Sequence, residues 1–186
     1  MLALNKYIGG CVLGFMCLLL CSCENDMGKV AALNHTVITV EEAHGVTVLM
    51  SQSAKMKARI LSPYMLRYQD TPRIEFPRTL HVDFFDSLLN IESTLDAHYG
   101  VYYEAQNKVY LRDSVKIINI AKKETIYCED LNWDQNTGMF YTHKNVRIYE
   151  PTQILFGKGM QSNQDFTSVK IDTITGTVVV QQGQLP

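Results

Sequence analysis

The chain has 186 residues, with 17 Lys and Arg against 19 Asp and Glu, a net charge of −2 and five prolines. This length suits one domain with a buried core. The charge balance argues against a nucleic-acid-binding protein, which normally shows a basic face, and the few prolines argue against a long disordered tract.

The N-terminus has the pattern of a lipoprotein signal. Residues 8–20 form an uncharged apolar run that leads into Leu20-Cys21-Ser22-Cys23. A lipoprotein signal peptidase cleaves between a small residue and a Cys, a requirement that Ser22-Cys23 meets and Leu20-Cys21 does not. We predict a signal peptide over residues 1–22, lipidation at Cys23 and a lipid-anchored tether over 23–44. The alternative is an uncleaved membrane helix, although the apolar stretch is shorter than the about 20 residues that span a bilayer.

Removal of the signal leaves one thiol in the folded domain. Cys11, Cys17 and Cys21 belong to the signal and Cys23 to the anchor, so only Cys128 remains. A single Cys forms no internal disulfide. We predict that Cys128, two residues after Ile126, is buried and inert.

Residues 45–186 have the alternation and the β-branched and aromatic content of a periplasmic β domain. Residues 35–42 fit either a first strand or part of the tether. The predicted strands cover residues 45–50, 54–61, 63–69, 79–86, 100–111, 113–120, 124–131, 145–150, 153–160, 168–174 and 176–182. Turns are predicted at 106–107, 119–123, 136–138, 144–145, 151–152 and 175–176. Residues 85–100 read as a strand or an irregular crossing.

A faint repeat suggests how these strands are arranged. It pairs residues 113–131 with 144–160, matching Ile126 with Ile154 and Cys128 with Phe156. Paired strands that repeat imply stacked hairpins, because one hairpin does not bury its apolar face alone. The fold class predicted is therefore all-β, an antiparallel jelly roll or partly open sandwich.

The segment from Thr125 to Glu150 combines a Cys, carboxylates, a Trp and a His, and it folds in our interpretation as a hairpin about residues 135–138. Alternation places on one face Leu131, Trp133, Met139, Tyr141 and His143. Unless a bulge intervenes, the other face carries Cys128, Asp130 and Asp134. Because the candidate ligands do not converge, we interpret the segment as two faces of a ribbon and not as a metal or nucleophile site.

No catalytic or metal signature stands out elsewhere. The five histidines form no H-x-H or H-E-x-x-H motif. His81 and Asp83, with Asp86 nearby, are the best remaining candidates, but a solvated strand face explains them better. We predict no catalytic residue, no metal and no cofactor. Gly157-Lys158-Gly159 is too short for a phosphate loop and indicates a bulge or a close backbone approach.

The order of motifs resembles one known family. A lipidated N-terminus precedes GVTVLMSQSAKMKARIL, IEFPRTLHVDFFD, VYLRDSVKIINI, TIYCEDLNWDQNTGMFYTHKNVRI and QILFGKGMQSNQDFTSVKI, over about residues 43–180. This order is similar to the LptC family of the lipopolysaccharide export machine, in a lipoprotein form. The resemblance implies a V-shaped antiparallel β-jelly roll at the periplasmic face of the inner membrane, with an apolar groove for acyl chains.

The same resemblance implies a lipid carrier and not an enzyme. The carrier would receive lipopolysaccharide from an inner-membrane ABC transporter and pass it to a periplasmic LptA-like bridge protein. The glycine before the last strands matters for docking to the transporter in relatives, and the matching position is Gly157. Relatives carry a transmembrane helix that the predicted cleavage before Cys23 would remove, so a gating role for that helix is in doubt here.

Acyl chains need a long apolar slot, which sheets with one apolar face supply. The groove candidates are Phe84, Leu111, Ile117, Ile126, Trp133, Ile148 and Phe156. Further inward candidates are Val109, Val115, Leu131, Val146 and Ile154. Packing in the core explains each of these residues as well as contact with lipid does, so both interpretations stay open. The unpaired edges are expected at residues 46–50 for the transporter and 176–182 for the bridge protein.

Two other functions remain open at this stage. A lipid-anchored carbohydrate-binding or scaffolding sandwich would show exposed aromatic platforms and no interior slot. A jelly-roll enzyme would hold a stoichiometric metal.

Overall fold

A computed structural model describes residues 40–179 of the chain. Within that range the backbone forms one antiparallel sheet of eleven strands and a short 3-10 turn, Glu104–Gln106. The strands are β1 (Val40–Gln52), β2 (Lys55–Tyr68), β3 (Arg73–Phe76), β4 (Leu80–Phe85), β5 (Ile91–Ala97), β6 (Tyr99–Tyr103), β7 (Lys108–Asn119), β8 (Glu124–Asp134), β9 (Met139–Tyr149), β10 (Gln153–Asn163) and β11 (Val169–Val179). The predicted all-β, antiparallel, jelly-roll-like fold is confirmed.

The predicted signal peptide, Cys23 and the first part of the tether lie outside the described residues. β1 begins at Val40, which pairs with Tyr68, so residues 40–44 of the predicted tether are part of the sheet. The start of β1 could not be predicted from alternation, because Glu41 and Glu42 are consecutive and both exposed.

Two long strands, β2 and β7, hold the sheet together because each has two partners along one edge. β2 pairs with β4 in its first half and with β3 in its second half. β7 pairs with β6 in its first half and with β5 in its second half. Since β3 pairs with β6 and β4 with β5, these six strands form a closed ring of hydrogen-bonded neighbours. β1 adds to the far edge of β2, and β8 to β11 add in order beyond β7.

Local chemistry explains where β2 and β7 change partners. In β2 the change falls at Ser62-Pro63, and Pro63 has no backbone N–H to give to a ladder. The buried Ser62 hydroxyl donates to the carbonyl oxygens of Tyr64 and Thr79, at 3.0 and 3.1 Å. In β7 the change falls at a bulge at residues 113–114, where both residues have positive φ and the Asp113 carbonyl accepts from His98 N–H.

One face of the sheet, the inner face, carries the core. Its fully buried side chains include Leu95, Ile117, Ile126 and Leu131, each 0% exposed. At one end of this core is an aromatic cluster of Phe84, Trp133, Phe140 and Phe166. Burying such side chains is the main favourable term in folding, about 25 cal/mol per Å² of apolar surface.

The hairpin about residues 135–138 forms as predicted, with Gly138 at φ +67°, and Leu131 and Trp133 share the inner face as predicted, but the face predicted for the strand after the turn is wrong. Trp133 pairs with Phe140, so Phe140 and Thr142 face inward, and Met139, Tyr141 and His143 do not. A bulge between Cys128 and Asn132 also turns Cys128 to the inner face beside Leu131.

Two turn predictions were also wrong. Residues 144–145 lie inside the continuous strand β9, and residues 175–176 lie inside β11. The remaining predicted turns fall between strands or at the 3-10 turn. The ambiguous segment 85–100 contains strand β5, whose Ser93, Leu95 and Ala97 alternate inward.

Candidate functional site

The inner face encloses an apolar cavity of about 240 Å³. Strands β1 to β9 and the loop before β11 contribute to its wall. The cavity is lined by Val48, Met50, Ala58, Ile60, Met65, Ile74, Phe76, Leu80, Val82, Phe84, Leu95, Tyr102, Val109, Leu111, Trp133, Gln135, Phe140 and Gln164. An apolar cavity of about 150 Å³ is large enough to hold benzene, so this one has room for an apolar group of at least that size.

The polar side chains of the cavity wall lie at one end. Tyr102 Oη is 3.3 Å from Gln135 Oε1, and Gln135 and Gln164 also line a second, more polar pocket of about 270 Å³. We call this second pocket the polar mouth. It is formed by the adjoining ends of β1 and β2, the β8–β9 turn and the β10–β11 loop. The site therefore combines an apolar interior with an amide-rich polar end that also includes Lys57.

Trp133 stands between the two, because it lines both the cavity and the polar mouth. The side chain is 8% exposed and its ring stacks on Phe140, with 5.9 Å between centroids. Its indole Nε1 is buried and finds no hydrogen-bond acceptor among the described residues.

Phe166 closes the core beside the cavity. The loop after β10 turns back at this residue, which has φ +59°, and the ring packs on Phe140 at 4.7 Å and on Phe84 at 5.6 Å. Two buried polar side chains hold the loop in place. Asn119 Nδ2 donates to the Phe166 carbonyl at 2.9 Å, and Ser93 Oγ donates to the Asp165 carbonyl at 3.0 Å.

Of the seven predicted groove residues, three line the cavity, three are buried in the core away from it, and Phe156 points outward. Phe84, Leu111 and Trp133 line the cavity. Ile117, Ile126 and Ile148 are buried in the core and do not line it.

Phe156 does not point inward as predicted. It is 37% exposed and pairs with Arg147, whereas its neighbours Leu155 and Gly157 face the core. Ile154 lies on the same outward side, one residue out of the predicted alternation. The repeat had matched these two strands one residue out of step.

Gly157 lies buried between β9 and β11. A Cβ atom at this position would collide with the Ile171 side chain and lie 2.9 Å from the Thr173 carbonyl oxygen. The predicted docking residue is therefore a site of close strand approach, as the glycine pattern indicated.

Sequence reasoning missed Tyr102, Phe140 and Phe166 as neighbours of the cavity. Phe140 was assigned to the wrong face by the register of the hairpin. Phe166 sits in an irregular loop where alternation carries no information.

The other face of the sheet, the outer face, carries a polar network around His81. Its Nδ1 lies 2.6 Å from Asp96 Oδ1 and its Nε2 lies 3.0 Å from Asp83 Oδ1. Asp83 is 3% exposed and accepts from Arg59 Nε and Nη2 at 3.0 and 2.8 Å. Partial burial alone would lower the pKa of His81, but the hydrogen bonds to Asp96 and Asp83 outweigh it and raise the pKa.

His81 and Asp83 share a face, as the alternation predicted. Asp86 instead caps the following turn, accepting from the N–H groups of Leu88 and Asn90. Over residues 40–179, no group of three or more His, Cys, Asp and Glu side chains is arranged to hold a metal ion.

Two strand edges have no partner strand among the described residues. They are the outer edge of β1 and the outer edge of β11. β11 also exposes apolar side chains near its end, with Ile174 61% and Val179 81% exposed. Such edges accept an additional strand from another protein. Over the described range, no helix is both long enough and apolar enough to cross a bilayer.

These features define an antiparallel β protein with an apolar cavity inside a single folded sheet. A family model described as lipopolysaccharide-assembly, LptC-related matches residues 17–177, and the chain belongs to the LptC family. No curated protein was found to match the chain. Membership gives the chain a role in lipopolysaccharide transport, as a transport component associated with the inner membrane and periplasm, with lipopolysaccharide and the Lpt transporter as its general partners.

Proposed function

We propose that this protein carries lipopolysaccharide by enclosing acyl chains in the cavity of its inner face. It takes the lipid from an inner-membrane ABC transporter and passes it to an LptA-like bridge protein in the periplasm. The observation that supports this most directly is the apolar cavity, whose wall is polar at one end only. A fully packed core would serve a merely structural domain better, because cavities cost stability.

The anchor is part of the proposal. Cys23 would be lipidated and would hold the domain at the periplasmic face of the inner membrane, since two or more acyl chains give stable attachment. Cys23→Ala should then leave a longer, unlipidated precursor, seen as a mass difference in the intact protein. Cleavage and acylation at the same bond in this variant would contradict the assignment.

Photo-crosslinking tests the cavity with two matched aromatic positions. A benzophenone side chain replaces Tyr102, which lines the cavity, or Phe156, which lies on the outer face. The carrier function predicts lipopolysaccharide adducts from position 102 and few from position 156. Equal labelling, or labelling from position 156 alone, would contradict binding in the cavity.

The same pair tests the second candidate function, a carbohydrate-binding or scaffolding lipoprotein. An exposed aromatic group on the outer face supports that candidate, with Tyr127 and Tyr149 edge to face at 5.6 Å and Arg147 beside both rings. Phe156 pairs with Arg147 at this group. Preferential labelling of a polysaccharide from position 156 would favour it over the carrier.

Depletion in the host tests the whole role. Loss of the protein should make lipopolysaccharide accumulate in the inner membrane, measured after separation of the two membranes. Normal delivery to the outer membrane would exclude the proposed function.

A further inference from the structure

Trp133 combines two properties that a purely structural residue does not need. Its ring fills the space beside Phe140 and Val109, a packing role that Phe would also serve. Its N–H is buried without an acceptor in the described part of the protein. Buried Trp N–H groups usually find a partner, and a donor left unsatisfied is destabilising. The indole N–H is therefore a feature that stacking alone does not explain.

The position of Trp133 indicates what the missing acceptor would be. Two residues back along β8, the next inward pair is Leu131 and Leu111, and Leu111 lines the apolar cavity together with Leu80. In the opposite direction lie Gln135, Asn136 and the polar mouth. Trp133 thus marks the boundary at which the wall changes from apolar to polar. In an ester- or amide-linked fatty acid, the carbonyl group lies at the corresponding point, where the apolar chain joins the polar head group.

We propose that Trp133 Nε1 donates a hydrogen bond to the carbonyl oxygen of a bound acyl chain and so fixes the direction in which the chain enters. The chain then extends past Val109 towards Leu80 and Leu111, and the head group lies at the polar mouth. The inference rests on the proposed function, because it assumes that the cavity holds acyl chains. It adds the recognised group, the residue that recognises it and the polarity of binding.

Amides line the polar mouth and suit this arrangement. Gln52, Gln135, Asn136 and Gln164 all line it, and each amide both donates and accepts hydrogen bonds. These amides can hydrogen-bond to the hydroxyl and amide groups next to the carbonyl of an acylated sugar, and Lys57, which also lines the mouth, can pair with an anionic group of the same ligand.

Because Trp133 is the only Trp of the chain, its fluorescence reports directly on this contact. The full chain is titrated with hexadecanoic acid carrying bromine, a short-range quencher, either at carbon 2 or at carbon 16. The proposal predicts several-fold stronger quenching by the 2-bromo acid at equal occupancy, with occupancy measured by calorimetry. Stronger quenching by the 16-bromo acid would overturn the proposed direction and leave acyl binding intact.

Trp133→Phe separates the hydrogen bond from the stacking. Calorimetry with hexadecanoic acid should show binding roughly three- to tenfold weaker than for the unchanged chain, the usual contribution of one hydrogen bond. Thermal unfolding of the free variant measures separately the packing that is lost with the smaller ring, because that loss is present without ligand. Unchanged affinity would overturn the proposal. If neither acid binds the unchanged chain, acyl carriage itself fails and this inference fails with it.

Discussion

At the scale of single residues, burial governs the chemistry of Cys128. The bulge in β8 turns this side chain to the inner face, where it is 8% exposed. Burial, assisted by the negative charges of Asp130 and Glu129, raises the pKa of the thiol to about 12. The thiolate is the reactive form, and at neutral pH it is roughly a thousandfold scarcer here than for an exposed Cys. Cys128 thus behaves as a small apolar core residue.

Cys128 should resist alkylation in the folded protein. In a chain with Cys11, Cys17, Cys21 and Cys23 replaced by Ala, iodoacetamide should modify Cys128 at least a hundredfold more slowly than in urea, a margin well inside the roughly thousandfold loss of thiolate. Mass spectrometry of samples quenched over time gives both rates. Rapid modification without urea would show that the inner face is open at β8.

His81 couples the outer face to pH. Since its folded-state pKa is raised, the folded protein holds the proton more tightly than the unfolded chain. The stability that this proton provides is fully present below the unfolded pKa of about 6.5. It is lost as pH rises through the higher folded pKa.

His81→Gln should therefore lower the free energy of unfolding more at about pH 5.5 than at about pH 8.5. Urea unfolding at the two pH values measures the difference. His143→Gln is the control, because His143 is exposed and makes no hydrogen bond to a carboxylate among the described residues. A His81 variant with the same deficit at both pH values would show that its carboxylate contacts do not depend on its charge.

At the scale of the strands, Gly157 and β11 are linked by packing. The backbone of β10 approaches β11 so closely at Gly157 that a side chain would strike Ile171 and the Thr173 carbonyl. Any effect of this residue on docking would then come through the position of β11. That strand carries one of the two edges that have no partner strand within residues 40–179.

Gly157→Ala should destabilise the domain by about 1–3 kcal/mol, the usual effect of overpacking. Gly176→Ala is a matched control on the neighbouring strand, because its new Cβ would meet Phe156 only at 3.9 Å, an ordinary contact. Its stability should be unchanged or slightly higher, since Ala limits the unfolded chain more than Gly does. Chemical unfolding measures both. Equal stabilities for the two variants would mean that β11 shifts freely to make room.

The open edge of β11 gives a test of strand addition. Successive N–H groups of a strand point to opposite sides, so of Val178 and Val179 one faces β10 and the other faces the open edge. Proline at the edge-facing position should weaken bridge-protein binding and leave the transporter bound, while proline at the other position should disturb the β10–β11 pairing itself.

Pull-down with each partner, after circular dichroism has shown native β content, distinguishes the two proline variants. Loss of transporter binding with bridge binding kept would mean that the two ends of the sheet serve the opposite partners.

The sequence indicated most of the strands and most of the inward-facing residues, and β8 shows why the remaining faces were wrong. Alternation along Leu131 and Trp133 predicted an inner face correctly, and the turn at residues 135–138 was marked by Gly138. The bulge between Cys128 and Asn132 then reversed the alternation without a distinct residue signal. The cavity wall was predicted at Phe84, Leu111 and Trp133, whereas Phe166 depends on a loop held by Ser93 and Asn119 from distant strands. Such contacts leave no periodic pattern.

At the scale of the whole molecule, the closed ring of strands should be the most stable region. The buried side chains of β5 and β7, such as Leu95 and Val115, are 0% exposed. β1 and β11 each have many exposed residues and one edge without a partner strand in the part of the chain that the structure describes. Stability within a protein is uneven, and regions with little burial open first.

Hydrogen exchange should follow this division. Amides of β5 and β7 should exchange orders of magnitude more slowly than those of residues 174–179 in β11. Exchange followed by mass spectrometry of peptides gives the rates along the chain. Protection of β11 equal to that of β7 would show that a segment or partner covers its free edge.

We expect the closed ring to determine the order in which the strands form. The second edge of β3 is paired only when β6 forms, as in the pair Arg73 and Tyr103. The second edge of β5 is paired only when the second half of β7 forms, as in the pair Ser93 and Asn119. Both closures join distant parts of the chain, so they are slow and costly in loop entropy. In contrast, β8 to β11 each pair with the strand just before them and add as successive hairpins. The first half of the domain is therefore completed only when β7 pairs with β5 and β6, and β11 is the last strand to be added.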